Sequence, residues 1–413
     1  STLPDYIKES LDENYPRVTA SGENTMTWDE FLSIGNYYVG KVEAEKDLNR
    51  PLFRAYTSGS TGPSKQVIHC ANSMLGTVCQ MNFYGGSDDV RPTWMVPCLP
   101  PALVAVVVSM VLLPLSSNKL LIMDPFVDPE DVDLEMMRYK PNGWPMIPMF
   151  IEAVMRNGRV PEDYDMSHLL AAGAGCEAVN NNQLDRVQEF FHKHNCNVRF
   201  TVGYGSSEGG SNLTFQMAPK SVHNGNVGIP MPLNDMGVFK PGTQEELGYN
   251  EMGEICTVGP GNMLGYDRRS ATAKTLQRHA DGKIWLHTGD IGYVDEDGVF
   301  YVLNRGAAYR YGGGELAVLL MENRLADAKI KGIKDEFFVL IEDEDHDGYF
   351  VPYLYVVLED GYKVDDIIKD VQSCLEPYMF PVEILAIDER PFFHFKTNRI
   401  ELSKELKKKN HDC

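Results

Sequence analysis

The run Tyr56-Thr57-Ser58-Gly59-Ser60-Thr61-Gly62-Pro63-Ser64-Lys65 constrains this chain more than any other stretch. Glycines and small hydroxyl residues follow an apolar lead-in, Pro51-Leu52-Phe53, and end on a lysine. Glycine admits positive φ and lets a ligand approach bare backbone amides. The hydroxyls of Thr57, Ser58, Ser60 and Thr61 add short rotatable donors, and Lys65 adds a full positive charge. Gly59 and Gly62 would leave room for the oxygens of a polyphosphate, as in other phosphate-cradling turns. The Walker arrangement is absent, because no Gly-Lys-Ser/Thr occurs here. A flexible Ser/Gly linker has a similar composition, but a linker rarely follows a strand-like run and leads into Lys65-Gln-Val-Ile-His69. The phosphate turn is the preferred reading.

The length of 413 residues suggests two or three domains, and 43% hydrophobic residues can fill a large core. A formal net charge of −21 argues against a general nucleic-acid surface or an anionic membrane surface, both of which need clustered Lys and Arg. It leaves ATP open, since a local nest of donors binds that ligand together with Mg2+. Eight cysteines are scattered without a Cys-x-x-Cys pair, so they read as reduced thiols in a reducing cytosol rather than a disulfide frame or zinc site. The first residues are polar and acidic, which predicts no signal peptide. The longest apolar run, Ala102 to Leu113, is too short to span a bilayer and reads as a buried helix or strand.

Taken in order, residues 1–50 predict two helices, the second opened by Thr27 and Glu30 as a capping box with Trp28, Phe31, Leu32, Ile34 and Tyr38 as its apolar stripe. A helix is expected over Val67 to Phe83, a strand end at Trp94 to Pro97 and a buried strand at Leu120 to Met123. Helices follow over Asp128 to Tyr139, Phe150 to Arg156 and Asn182 to His194, with strands at Leu169 to Gly175 and Val198 to Val202. This alternation predicts an α/β fold with a mostly parallel, helix-covered sheet, whose ligands sit beyond the carboxyl ends of the strands. From about 222 to 304, short β runs separated by Gly, Pro, Asn and Asp predict a small barrel-like module, with a hairpin turn at Asp295 to Gly298. The rest reads as a small α+β C-terminal domain: a helix over Glu315 to Asp327, strands at Phe337 to Ile341 and Tyr353 to Leu358, a helix over Val364 to Leu375 and a strand near Ile384. The acidic run Glu342 to Asp347 lacks EF-hand spacing and reads as a loop.

Further segments carry candidate chemistry. In Tyr204-Gly205-Ser206-Ser207-Glu208, the tyrosine can stack on a flat base and the carboxylate can hold Mg2+. A plain turn with a surface glutamate is the competing reading of that segment alone. His287-Thr288-Gly289-Asp290 is expected to end a strand, where Asp290 could chelate ribose hydroxyls, and Arg305 offers a guanidinium at the next boundary. Near the C-terminus lies Lys396-Thr397-Asn398-Arg399.

In this order the segments resemble the adenylate-forming superfamily of acyl- and aryl-CoA synthetases, luciferases and peptide-synthetase adenylation domains. The loop ending at Lys65 matches its signature with Ser64 where proline is usual, Tyr204 to Glu208 looks like its Tyr-Gly-x-Thr-Glu with Ser207 for Thr, and Thr288-Gly289-Asp290 matches its Thr-Gly-Asp. Gly253-Glu254 and Gly265-Tyr266 resemble marks of its barrel subdomain, and Asn304-Arg305 its hinge Gly-Arg, with Asn for Gly. The resemblance implies an N-terminal AMP-binding domain over 1–304 and a mobile C-terminal lid domain over 306–413. It also implies a reaction in which a carboxylic acid and ATP give an acyl-adenylate and pyrophosphate, and the acyl group passes to a thiol, coenzyme A or a carrier-protein phosphopantetheine.

Carried over residue by residue, Lys65 with Thr57, Ser58, Gly59, Ser60, Thr61 and Gly62 would hold the β- and γ-phosphates. Glu208 would hold Mg2+, and Ser207, beside Gly205, would meet the α-phosphate. Gly173, Ala174, Gly175, Glu177 and Tyr204 would frame adenine, and Asp290 and Arg305 would bind ribose.

The chain also departs from the family. Ala307 stands where the hinge carries Asp or Lys, and Arg399 stands where the C-terminal lysine is usual, unless Lys396 takes that role. The segment Met26 to Phe31 lies closer to the phosphate loop than in the family, so a shortened first subdomain is expected. These departures keep open a degenerate homologue that binds ATP or AMP with little ligase activity. No acid lies between Trp94 and Ser116 to meet an α-amine, so the acid pocket is expected to be apolar, lined from Leu99 to Val107 and by Trp144, Gly203 and Phe215.

Overall fold

Capping chemistry opens the described part of the chain. The computed structural model describes residues 26–38, 40, 46–57, 64–83, 92–99, 102–124, 127–216, 220–305, 309–343, 346, 348–393 and 396–411. Helix α1 (Trp28–Asn36) starts where the sequence predicts: the Thr27 hydroxyl accepts from the Glu30 N–H at 3.2 Å, and the Glu30 carboxylate accepts from the Thr27 N–H at 2.6 Å. The helix expected before it falls outside the described residues. Contacts group the chain into two units, Ser1–Asp47, which holds α1, and Leu48–Cys413, which holds everything that follows.

The second unit opens on a hairpin. Strand β1 (Pro51–Tyr56) pairs antiparallel with β2 (Gln66–Cys70), and Tyr56 stands opposite Gln66. The expected helix over 67–83 therefore starts late. Val67 and Ile68 belong to β2, where β-branched side chains pack well, and α2 runs Ala71–Asn82. The Cys70 N–H donates to the Ser73 hydroxyl at 3.1 Å and marks the change. The apolar run after residue 102 resolves as helix rather than strand. Val106–Leu112 is a π-helical turn, with the Leu113 N–H reaching back to the Val108 carbonyl.

The parallel sheet follows: β3 (Thr93–Pro97), β4 (Leu120–Asp124), α3 (Val132–Tyr139), β5 (Gly143–Met146), α4 (Pro148–Asn157), β6 (Ala171–Ala174), α5 (Asn181–Lys193) and β7 (Thr201–Val202). Its strand order is β4-β3-β5-β6-β7 and every pairing is parallel. Trp144, Phe150, Phe191 and Phe200 are fully buried in its core, and each such side chain stabilises the fold by about 1.5–3 kcal/mol relative to exposure. Strand β7 is shorter than the predicted 198–202. The Phe200 N–H goes to the Gln188 side chain instead of the ladder, and Thr201 and Val202 are the residues that pair with β6.

Next comes an antiparallel sheet built from β8 (Thr214–Phe215), β9 (Asn226–Pro230), β10 (Asp235–Phe239), β11 (Gly253–Val258), β12 (Leu276–Arg278), β13 (Ile284–Val294) and β14 (Phe300–Arg305). The order is β8-β9-β14-β13-β11-β10, with β12 also on β13. Between β13 and β14 the Asp295 carboxylate accepts the Asp297 and Val299 amides, and Gly298 takes φ +75°. This is the predicted hairpin. Gly265-Tyr266 pairs with β2 and ties this region to the first hairpin.

In the last part, Glu315 lies in a small hairpin opposite Arg310, so the expected helix begins later, as α6 (Val318–Ala328). Strands β15 (Ile333–Glu342), β16 (Phe350–Leu358) and β17 (Glu383–Ile387) form a sheet in that order, with α7 (Val364–Cys374) crossing over between the parallel pair β16 and β17. Helix α8 spans Arg399–His411. Among the described residues the cysteines are free, and no helix is long and apolar enough to cross a membrane.

Candidate functional site

The first hairpin closes the predicted phosphate loop at its base. The Thr57 N–H donates to the Lys65 carbonyl at 2.9 Å, the Lys65 N–H donates to the Thr57 hydroxyl at 3.1 Å, and the Ser64 hydroxyl donates to the Thr57 carbonyl. Ser58, Gly59, Ser60, Thr61 and Gly62 lie outside the described residues. The exposed Lys65 ammonium stands over the Tyr266 ring, 5.0 Å from its centroid.

Tyr266 leads to the second segment, because its hydroxyl donates to Glu208 Oε1 at 2.7 Å. Lys65 and Glu208, far apart in sequence, therefore meet across one aromatic ring. The neighbouring Ser207 carbonyl accepts from His69 Nε2 at 2.7 Å. His69 is fully buried, and burial holds its pKa below the ordinary imidazole value. A carbonyl only accepts, so Nε2 carries the ring proton and Nδ1 faces the Ser73 hydroxyl at 3.0 Å. Gly205 is required for close approach: a Cβ there would lie 1.8 Å from the Ser211 carbonyl oxygen.

The same segment reaches the ribose candidate. The buried Tyr204 hydroxyl donates to Asp290 Oδ2 at 2.7 Å. Asp290 lies inside β13 rather than at a strand end, at an irregularity of the β11–β13 pairing in which Gly289 takes φ +75°, the Thr288 hydroxyl donates to the Ile255 carbonyl at 2.6 Å, and the Asp290 N–H donates back to that hydroxyl at 3.1 Å. Asp290 pairs in register with Arg305 on β14. Gly173, Ala174 and Gly175 stand where predicted, at the carboxyl end of β6, and the Gly203 N–H donates to the Ala174 carbonyl at 2.9 Å. This brings Tyr204 beside the strand end.

The C-terminal candidates meet Glu177. Its Oε1 accepts the Thr397 N–H at 3.0 Å and the Arg399 guanidinium at 3.2 Å. Arg399 also donates to Glu322 at 3.0 Å and to the Phe338 carbonyl at 3.0 Å, so each of its three nitrogens has a protein acceptor. Lys396 lies on a two-residue strand next to Thr397.

Two of the expected pocket walls also pack in the core of the parallel sheet: Trp144, on β5, is fully buried, and Leu99, just past the end of β3, is 2% exposed. Two residues received no role from sequence reasoning, His69 and Tyr266. The apolar-flanked His69 gave no signal, whereas Tyr266 sat within a recognised pair and was open to assignment.

A family model described as AMP-binding enzyme matches residues 7–267. The 4-coumarate–CoA ligase 2 of Nicotiana tabacum is 29% identical over 376 residues, which cover 86% of this chain and 65% of that protein. This chain thus spans just under two thirds of that relative's length. Among solved structures, ATP-bound MatB from Rhodopseudomonas palustris superposes with TM-score 0.75 at 19% identity, covering 89% of this chain and 70% of that one. The o-succinylbenzoate CoA synthetase MenE from Bacillus subtilis, in complex with the acyl-adenylate intermediate OSB-AMP, gives 0.71 at 20% identity, covering 96% and 76%. At such identities these two structures establish the fold. With the family model matching well over half the chain, this protein belongs to the AMP-binding, adenylate-forming enzyme superfamily.

Proposed function

We propose that this chain is an AMP-forming acid–thiol ligase that activates an apolar carboxylic acid as its acyl-adenylate and passes the acyl group to coenzyme A. The observation that carries this reading is the span of one short segment: Tyr204 holds Asp290, Ser207 meets His69, and Glu208 shares Tyr266 with Lys65. A carboxylate is a poor acyl donor, and adenylation supplies a good leaving group. Lys65, with Thr57 and the loop Ser58 to Gly62, neutralises and positions the β- and γ-phosphates. Ser207 orients the α-phosphate, Gly173 to Glu177 and Tyr204 frame adenine, and Asp290 and Arg305 hold ribose.

Glu208 offers a hard carboxylate oxygen beside the lysine, a donor set that fits Mg2+ accompanied by phosphate. Bound there, the ion would neutralise charge on the transferred group. Residues 306–413 are assigned to a lid that turns between half-reactions, and the chain to the cytoplasm. A carrier-protein thiol is the variant acceptor. The test is pyrophosphate release with a panel of carboxylic acids, followed by thioester formation with coenzyme A. Acid-dependent release that Lys65→Ala removes supports the ligase.

One observation favours a second reading, a homologue that binds ATP or AMP and turns over slowly. Arg399, in the place of the usual lysine, has its whole guanidinium committed to Glu177, Glu322 and Phe338. ATP binding without pyrophosphate release under every acid supports that reading and overturns the first.

A further inference from the structure

Behind the Thr288-Gly289-Asp290 stretch of β13 lies a largely buried cluster that the adenylation chemistry does not use. Glu254 and Cys256 sit two residues apart on β11, with Cys256 opposite His287 on β13 and a register irregularity between Glu254 and Cys256. One oxygen of Glu254, the Cys256 sulfur and one nitrogen of His287 all lie within 4.8 Å of one another. His287 Nδ1 is 2.9 Å from Glu254 Oε2 and 3.4 Å from Cys256 Sγ. Cys256 is fully buried, and His287 is 8% exposed.

We propose that Glu254, Cys256 and His287 form a three-ligand site for a borderline divalent cation of the Zn2+ class. Zinc takes carboxylate, thiolate and imidazole donors at about 2.0–2.3 Å, which in a tetrahedron puts neighbouring donors roughly 3.3–3.7 Å apart. The histidine–sulfur separation of 3.4 Å falls in that range, and the histidine–carboxylate separation of 2.9 Å needs a slight spreading to reach it. A single ring nitrogen faces both the carboxylate and the thiol; one proton on Nδ1 serves the carboxylate, and the thiol donates to the Glu254 carbonyl oxygen over a long 3.9 Å.

The surroundings are those of ligating groups. A histidine that binds metal through Nδ1 carries its proton on Nε2 and needs an acceptor there. His279 Nε2 stands 2.9 Å from His287 Nε2, stacked on Trp285 and edge-on to Phe239. A ligating carboxylate is in turn hydrogen-bonded, and Glu254 Oε1 accepts the Gly289 N–H at 3.0 Å. On binding, the cation replaces the thiol proton, which leaves to solvent; the His287 proton passes from Nδ1 to Nε2, and His279 shifts its own proton from Nε2 to Nδ1 so that its Nε2 accepts from His287. Because Glu254 also holds Gly289, an occupied site braces the irregular stretch of β13 that presents Asp290.

The test uses the full chain freed of metal by a chelator and titrated with Co2+. Saturation at a single equivalent with a near-ultraviolet thiolate-to-cobalt band, displaced by Zn2+, is the expected result. Cys256→Ser should remove the band while circular dichroism shows an unchanged fold. His279→Gln should keep the band and weaken Zn2+ binding about 10–100-fold, read by competition with a chromophoric chelator. No band in the folded wild-type chain overturns the site, as does a band of equal strength in Cys256→Ser. Should Cys256→Ser fail to fold, the wild-type band and the His279→Gln shift decide. None of these readouts depends on ATP or an acid, so they stand apart from the ligase assay.

Discussion

Two clusters of charged residues differ in who satisfies them. Around the first hairpin, the Lys65 ammonium stands over an aromatic face as its contact among the described residues, and Glu208 gives one oxygen to Tyr266. Around Glu177, the guanidinium of Arg399 and two carboxylates satisfy one another. The residue types are similar, yet one cluster presents its charge outward and the other closes on itself. Charge that the protein leaves uncommitted is available to a ligand, and charge already paired holds the fold.

The largest test of this contrast is Lys65→Ala. Loss of one positioned donor to developing phosphate charge should lower pyrophosphate release about 100–1,000-fold, with the thermal midpoint nearly unchanged in a calorimetric scan. Arg399→Ala should do the reverse. Breaking this half-buried network, discounted for a side chain 32% exposed, should cost roughly 2 kcal/mol in denaturant unfolding. Pyrophosphate release should fall less than it does for Lys65→Ala. A hundredfold loss of release with unchanged stability would make Arg399 catalytic and erase the distinction.

Glu336 sharpens the closed side. It is 2% exposed, and burial, reinforced by Asp335, pushes its carboxyl up to about 8. The folded chain therefore holds a proton that the unfolded chain releases from the ordinary carboxyl value upward, so stability falls as pH rises through that window toward 8. Glu336→Gln should unfold about 2 kcal/mol harder than wild type near pH 9 and equally near pH 4, in paired urea titrations. The smallest effect is Tyr266→Phe. It removes the 2.7 Å bond to Glu208 and keeps the ring under Lys65, so the Mg2+ concentration for half-maximal release should shift by about 1 kcal/mol, roughly fivefold.

The fold was legible where local chemistry and tertiary pairing agree. Thr27 with Glu30, the turn at Asp295 to Gly298, and the alternation that builds the parallel sheet all declare themselves within a few residues. Boundaries slipped where a partner strand decided the matter, as at Val67-Ile68 against β1 and Glu315 against Arg310. The candidate site was legible as motifs, since glycine, hydroxyl and acid spacing is local. Its wiring was not, because His69 to Ser207, Tyr266 to Glu208 and Arg399 to Glu177 join residues distant in sequence.

The π-helical turn at Val106–Leu112 carries a consequence for how this region can change. It faces Ser109 toward Ser211 and Asn212, at 2.5 and 3.1 Å. The extra residue of such a turn is what an insertion into an ordinary helix leaves behind. Removing one residue would restore regular winding and rotate one flank relative to the other by about 100°, carrying the serine off its partners and a valine into polar company. Alterations of length in this stretch are therefore harsher than alterations of side chain.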